Sequence, residues 1–199
     1  MGIASDRKDQ RRKEILEAAA ALFVEKGFDG ASFNEIAVRA RASKETLYAW
    51  FGNKIEILKA LLREGGETLR LSVEAEAAGG TPEQVLFVLA RAILRTIATT
   101  PVISLFGAAL AGAQRHPELR ELIAERLDGT ALALYLEMCR AQGLMAFENA
   151  ARTAMIFSAM AQGDYSVRLS AGLIEGISEE EIEAHARVAT KMFLKAVAP

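Results

Sequence analysis

A single cysteine, Cys139, stands in 199 residues, so no disulfide can form within the chain. A lone thiol suits a reducing compartment and reads as a small buried hydrophobe. Only four prolines are present; with the many alanines this favours helices over sheets. No apolar run approaches the ~20 residues needed to span a bilayer. The polar stretch Met1 to Lys13 lacks the apolar segment of a signal peptide. A cytoplasmic chain without membrane contact is therefore expected. The two histidines and the cysteine have no metal-ligand spacing. Also missing are an H-E-x-x-H pair, a G-x-S-x-G elbow and a G-x-x-x-x-G-K phosphate loop. Gly65-Gly66 and Gly79-Gly80 are not followed by the Lys and Ser/Thr such a loop needs. No enzymatic activity, cofactor or metal is expected, and no segment alternates like a strand.

What the chain does contain is apolar mass and an uneven charge. Hydrophobic residues make up 51%, enough for a sizeable core. The formal net charge is −2, but residues 1–63 carry 12 Lys/Arg against 9 Asp/Glu, and residues 64–199 carry 12 against 17. A basic head on an acidic body suggests that the head alone meets an anionic partner.

Nine helices can be read in order. The first spans about Asp9 to Lys26, with Ile15, Ala19, Leu22 and Phe23 on one face and Gly27 as stop. Ser32-Phe33-Asn34-Glu35 is a capping box for a short second helix ending near Ala40. Ser43 caps a third, to about Trp50, and Asn53 a fourth that runs into the seventies with Gly65-Gly66 inside it. Those glycines read as a tolerated weak spot, a close crossing or a hinge. Thr81-Pro82-Glu83-Gln84 opens the fifth, to about Ala98. The sixth, Val102 to Ala113, is apolar nearly all round. The seventh starts at His116-Pro117 and stops at Gly143; the eighth covers Glu148 to Leu169. Ser178-Glu179-Glu180-Glu181 caps the ninth, which runs to about Val197.

The informative stretch is Phe33 to Phe51, two short helices three residues apart. A steep crossing needs a small residue at the approach, supplied by Ala37, and an inward apolar set, supplied by Ile36, Ala40, Ala42, Leu47 and Trp50 or Phe51. Lys44, Glu45, Thr46, Tyr48 and Ala49 then point outward, as a groove-facing surface requires. An ordinary αα-hairpin has the same local pattern.

Residues from about Arg11 to Leu62 resemble the DNA-binding domain of the tetracycline-repressor (TetR) family. The matching pieces are Ile15-Leu16-Glu17-Ala18-Ala19, Leu22-Phe23, Lys26-Gly27-Phe28, Ser32-Phe33, Ile36-Ala37, Ser43-Lys44-Glu45-Thr46-Leu47-Tyr48, Phe51 and Asn53-Lys54. The resemblance implies that Ser32 and Ser43 cap helices over phosphates. It implies that Lys44, Thr46 and Glu45 face the major groove, and that Tyr48, Trp50 and Lys54 contact the backbone. Trp50 stands where the family more often has His or Tyr, and a core role suits it equally. Arg41 replaces the glycine that the family usually has in this turn, where φ is positive. It either strains the turn or adds a phosphate contact.

The expected architecture is all-α, with a helix-turn-helix domain over 1–55 and a helical ligand-binding and dimerisation domain over 56–199. The resemblance implies an effector cavity, with Phe87, Arg91, Phe106, Leu110, Phe157 and Met160 as candidate lining. It also implies dimerisation through the last two helices, with Ile182, Ala189, Met192 and Phe193 as candidate interface. The partners implied are a double-stranded, palindromic DNA operator, a small-molecule effector that releases it and a second copy of the chain. Repression is the usual behaviour of the family. Two other readings are a small helical enzyme and a helical protein that binds partners but no DNA; a mobility shift on DNA separates all three.

Overall fold

The computed structural model describes residues 3–63, 79–98, 100–127 and 130–199, and every regular element among them is a helix. The order is α1 (Ile3–Gly30), α2 (Phe33–Arg39), α3 (Lys44–Phe51), α4 (described over 54–63), α5 (Pro82–Ala98) and α6 (Thr100–Gly112). Then come α7 (Pro117–Leu127), α8 (Thr130–Ala141), α9 (Ala150–Gln162), α10 (Tyr165–Ser170) and α11 (Glu179–Ala196). Gly65-Gly66, whether weak spot, close crossing or hinge, lies outside the described residues.

The all-α expectation holds, with eleven described helices where about nine were expected. One extra element arises because the stretch from Pro117 to Ala141 carries both α7 and α8. The other arises at Gly163, which ends α9 at φ 55 and ψ −144. A Cβ there would lie 3.0 Å from His185 Cε1, so only glycine lets the α11 imidazole sit against the break. That ring is bonded to the Met160 carbonyl at 2.9 Å, which takes up one of the acceptors a helix end leaves open. In α1 the expected stop is present: Gly27 has φ 71 and breaks the helix before Phe28 turns into the core.

The chain divides into two compact units. The first comprises Met1–Gly65 with Ser104–Ile123, and the second Gly66–Ile103 with Ala124–Pro199. The first thus takes in part of the expected body. Its core joins Ile15, Leu16 and Phe23 of α1 to Ile36, Leu47, Ile57 and Leu58, and to Leu105, Ala109 and Leu119 of α6 and α7. Burying each of these Leu, Ile and Phe side chains stabilises by about 1.5–3 kcal/mol.

In the second unit α11 packs on α5 and α9, and α9 on α8. Leu86, Leu94, Leu136, Phe157, Ile182 and Phe193 fill its core, the last pairing edge-to-face with Phe157 at 4.9 Å between ring centres. Cys139 is buried in the same core. Two arginines tie α5 to α11: Arg91 Nη1 donates to Glu183 Oε1 at 2.9 Å, and Arg95 makes a two-point fork on Glu179 at 3.1 and 2.8 Å.

Candidate nucleic-acid interface

α2 and α3 are both built by side-chain caps. Ser32 Oγ accepts the Glu35 N–H at 3.2 Å, and Glu35 Oε2 accepts the Ser32 N–H at 3.0 Å, completing the expected capping box. Lys26 reaches the other oxygen of Glu35. These contacts, Lys26 first and Ser32 next, pull the Glu35 carboxyl down from 4.5 to about 2.

A carboxylate lowered in the folded state adds stability above its unfolded pKa and loses it as pH falls through the folded value. The contribution of Glu35 is therefore complete above pH about 4.5 and fades toward pH about 2. Glu35→Gln should flatten the acid limb of the melting-temperature profile over that window. A wild-type-to-variant difference that stays constant from pH 2 to 6 would contradict this.

The turn after α2 closes by two hydrogen bonds, Arg41 N–H to Val38 O at 3.1 Å and Ala42 N–H to Ala37 O at 2.9 Å. This is a Schellman pair, which requires a left-handed residue after the cap. Arg41 fills that position at φ 51, the only non-glycine with positive φ among the described residues. The conformation costs an L-residue about 1–2 kcal/mol. Of the two expectations for Arg41, strain in the turn is thus observed.

Ser43 then caps α3, its Oγ accepting the Thr46 N–H at 3.1 Å. Leu47 and Phe51 point inward and are buried; Lys44, Glu45, Tyr48 and Ala49 are exposed along the other side. The Glu45 carboxyl is lowered by a backbone N–H and the Ser43 hydroxyl. The Tyr48 ring leans on Phe33 at 4.6 Å between centres, leaving its edge outward. Ser32, Arg41 and Ser43 are exposed too. Thr46 is half-buried, and Trp50 is half-buried against the core, so the core alternative for Trp50 has direct support.

Lys54 departs from expectation. Its ammonium donates to the carbonyls of Phe28 at 2.7 Å and Ala31 at 3.2 Å, with Asp29 O at 3.4 Å, and lies 4.5 Å from the centre of the Phe28 ring. Burial lowers its pKa. The charge faces the α1–α2 connection rather than the outside, because the first turn of α4 lies beside carbonyls left without helical partners where α1 ends at Gly30. The same connection is gripped from the turn between α6 and α7: Asp29 accepts from His116 Nε2 at 3.0 Å and from Arg115. Those two bonds, His116 foremost, hold the Asp29 carboxyl below its usual range. Sequence reading also missed Arg11, which donates to the Arg41 carbonyl at 2.6 Å; no local pattern marks a contact across thirty residues.

The expected effector and dimer residues can be placed. Phe106 and Leu110 belong to the first unit, where Leu110 is exposed. Phe87, Arg91, Phe157 and Met160 belong to the second. There Arg91 pairs with Glu183, so the carboxylate it meets is the chain's own. The guanidinium groups of Arg91 and Arg187 lie 5.7 and 5.2 Å from the centre of the Phe87 ring. Ile182, Ala189 and Phe193 are core residues of the unit, not surface; of the four interface candidates only Met192 is exposed, at 58%. Three of the four candidates on α11 thus lie on its inner face. Its outer face carries Val188 and Met192, and α9 leaves Met155 and Ile156 exposed.

Residues 15–61 match the sequence model of the bacterial regulatory proteins of the tetR family, and residues 84–199 that of the AefR-like transcriptional repressor C-terminal domain. Among curated relatives, the transcriptional activator FasR of Mycolicibacterium smegmatis is 40% identical over 62 residues, 31% of this chain and 28% of that protein. The transcriptional regulator BetI of Rhizobium meliloti is 29% identical over 188 residues, 89% of this chain and 90% of that protein. The first three curated relatives are matched over only 28%, 26% and 50% of their own lengths. The solved structure of the flavonoid-responsive regulator FrrA superposes with a TM-score of 0.74 at 29% identity, covering 96% of this chain and 98% of that one.

Proposed function

Since the chain belongs to the tetR family of bacterial regulatory proteins and is a DNA-binding transcriptional regulator, we propose that it is a repressor that leaves a palindromic operator when a small molecule binds its second unit. The observation that carries the DNA-reading part is α3: capped by Ser43, anchored inward by Leu47 and Phe51, and exposing Lys44, Glu45 and Tyr48. Helix N-termini and hydroxyls bind phosphate, while exposed side chains of such a helix read base edges. Lys44, Glu45 and Thr46 are the proposed base readers. Ser32, Ser43, Tyr48 and Arg41 are the proposed backbone contacts. Lys54 and Trp50 are withdrawn to supporting roles.

Repression is favoured by the description of the matched C-terminal family, although a relative such as FasR is an activator. A dimer follows from the need to read two half-sites, and the outer faces of α9 and α11 supply apolar surface for it. The work takes place in the cytoplasm, where bacterial DNA lies. Among the described residues no helix is long and apolar enough to cross a membrane.

The test is selection of duplexes from a random pool by the full-length chain. A near-palindromic sequence should be enriched, and Lys44→Ala should weaken its binding and relax preference within each half-site. Failure to enrich any duplex would overturn the reading. A flavonoid is the first effector to try on the enriched complex, given the response in the name of FrrA.

A further inference from the structure

The left-handed residue in the turn is the point where backbone preference and observed geometry disagree most sharply. Glycine relaxes into this conformation, and Asn or Asp can support it with a short side chain. Arg41 can do neither, yet it sits at φ 51 with both Schellman bonds made. The support comes from α1. Arg11 is half-buried, and its two terminal nitrogens are divided between two partners. Nη1 donates to Glu14 Oε2 at 2.5 Å, and Nη2 donates to the Arg41 carbonyl at 2.6 Å. Glu14 is itself fixed on α1, with Gln10 donating to its other oxygen. A planar fork suits this task, since one end is anchored and the other is aimed.

We infer that Arg11 is a positioning residue for DNA binding: its fork clamps the backbone of Arg41 in the left-handed turn, and so sets the direction of the Arg41 guanidinium and the angle at which α3 leaves α2. The inference rests on the DNA-binding reading above. A glycine in place of Arg41 would hold the turn without help but would carry no charge to the duplex. The arginine carries the charge and needs the clamp. The two arginines therefore act as one device, in which only Arg41 touches DNA.

A direct phosphate contact by Arg11 would behave differently. It would act whatever residue replaced Arg41, and a lysine would largely substitute for it. The test compares full-length wild type with Arg11→Ala, Arg11→Lys, Arg41→Gly and the double variant Arg11→Ala/Arg41→Gly. The probe is the duplex enriched by wild type from the random pool, titrated across salt, with urea unfolding alongside. Arg11→Ala should weaken binding roughly tenfold when Arg41 is present and less than about twofold in the Arg41→Gly background. Arg11→Lys should bind clearly more weakly than wild type, because one ammonium nitrogen has to serve from a single point the two partners that the planar fork serves from two. Arg41→Gly should lower the salt slope by about one unit, and Arg11→Ala should lower it by no more than that and not at all in the Arg41→Gly background. The urea midpoint should fall with Arg11→Ala only where Arg41 is retained. Equal losses in both backgrounds, or full affinity with Arg11→Lys, would overturn the inference. If wild type enriches no duplex, the DNA reading fails, and the urea cycle still decides whether Arg11 and Arg41 are coupled.

Discussion

Val188→Glu combined with Met192→Glu is expected to separate a dimer into monomers and to weaken operator binding about a hundredfold or more. Both residues are exposed on α11, at 55% and 58%, one helical turn apart. In a lone protomer a glutamate at either place stays in water and changes stability by less than about 0.5 kcal/mol. In a two-fold interface each substitution occurs twice, and every carboxylate is buried without a partner at a cost of several kcal/mol. Loss of the second protomer removes the second half-site, whose contribution is that of a tethered binder. Sedimentation should show monomers with unchanged helical circular dichroism, and anisotropy should show the lost affinity. A variant that remains dimeric with wild-type affinity would move the interface elsewhere. Phe193→Glu, next in sequence to Met192, should behave in another way. Phe193 is 1% exposed and packed on Phe157, so its replacement should unfold the second unit rather than split a dimer.

Lys54→Ala is the second large effect. The ammonium serves the carbonyls of Phe28, Asp29 and Ala31 and lies against the Phe28 ring. Hydrogen bonds from a charged donor are worth about 1.5–3 kcal/mol net. Removing the donor also leaves half-covered carbonyls without it. A loss of about 2 kcal/mol in the stability of the first unit is expected from urea unfolding. The salt slope of DNA binding should stay at the wild-type value, in contrast to Arg41→Gly. Unchanged stability together with a slope lowered by about one unit would return Lys54 to the phosphate backbone.

Local chemistry was well written in the sequence, and long-range choices were not. The three capping boxes at Ser32, Thr81 and Ser178 all form, each with reciprocal bonds. They depend on residues three apart, and so does the Ser43 cap. The inward and outward sides of α3 were legible for the same reason, apart from Thr46, which is more buried than expected. Periodicity shows that a helix has an apolar face but not what covers it. On α11 the adjacent Met192 and Phe193 lie about 100° apart around the helix, so one ends up outside and the other inside with Ile182, Ala186 and Ala189. The contacts of Lys54 and Arg11 within the chain were not legible because their partners lie 23 to 30 residues away. Gly163-Asp164 offered a break signal inside the expected eighth helix, but the apolar residues on both sides masked it.

The core of the first unit has a consequence in time. Its residues come from two separated pieces of chain, Met1–Gly65 and Ser104–Ile123. A ribosome working at ~5–20 residues per second needs roughly 3–12 s to pass from the end of the first piece to the end of the second. During that interval α1 to α3 can meet one another, but Leu105, Ala109, Leu119 and Leu122 have not yet emerged to close over them. The earlier of the two pieces thus finishes folding only after the later one has emerged. Its apolar surface meanwhile stands open to the chaperones and neighbouring nascent chains of the polysome.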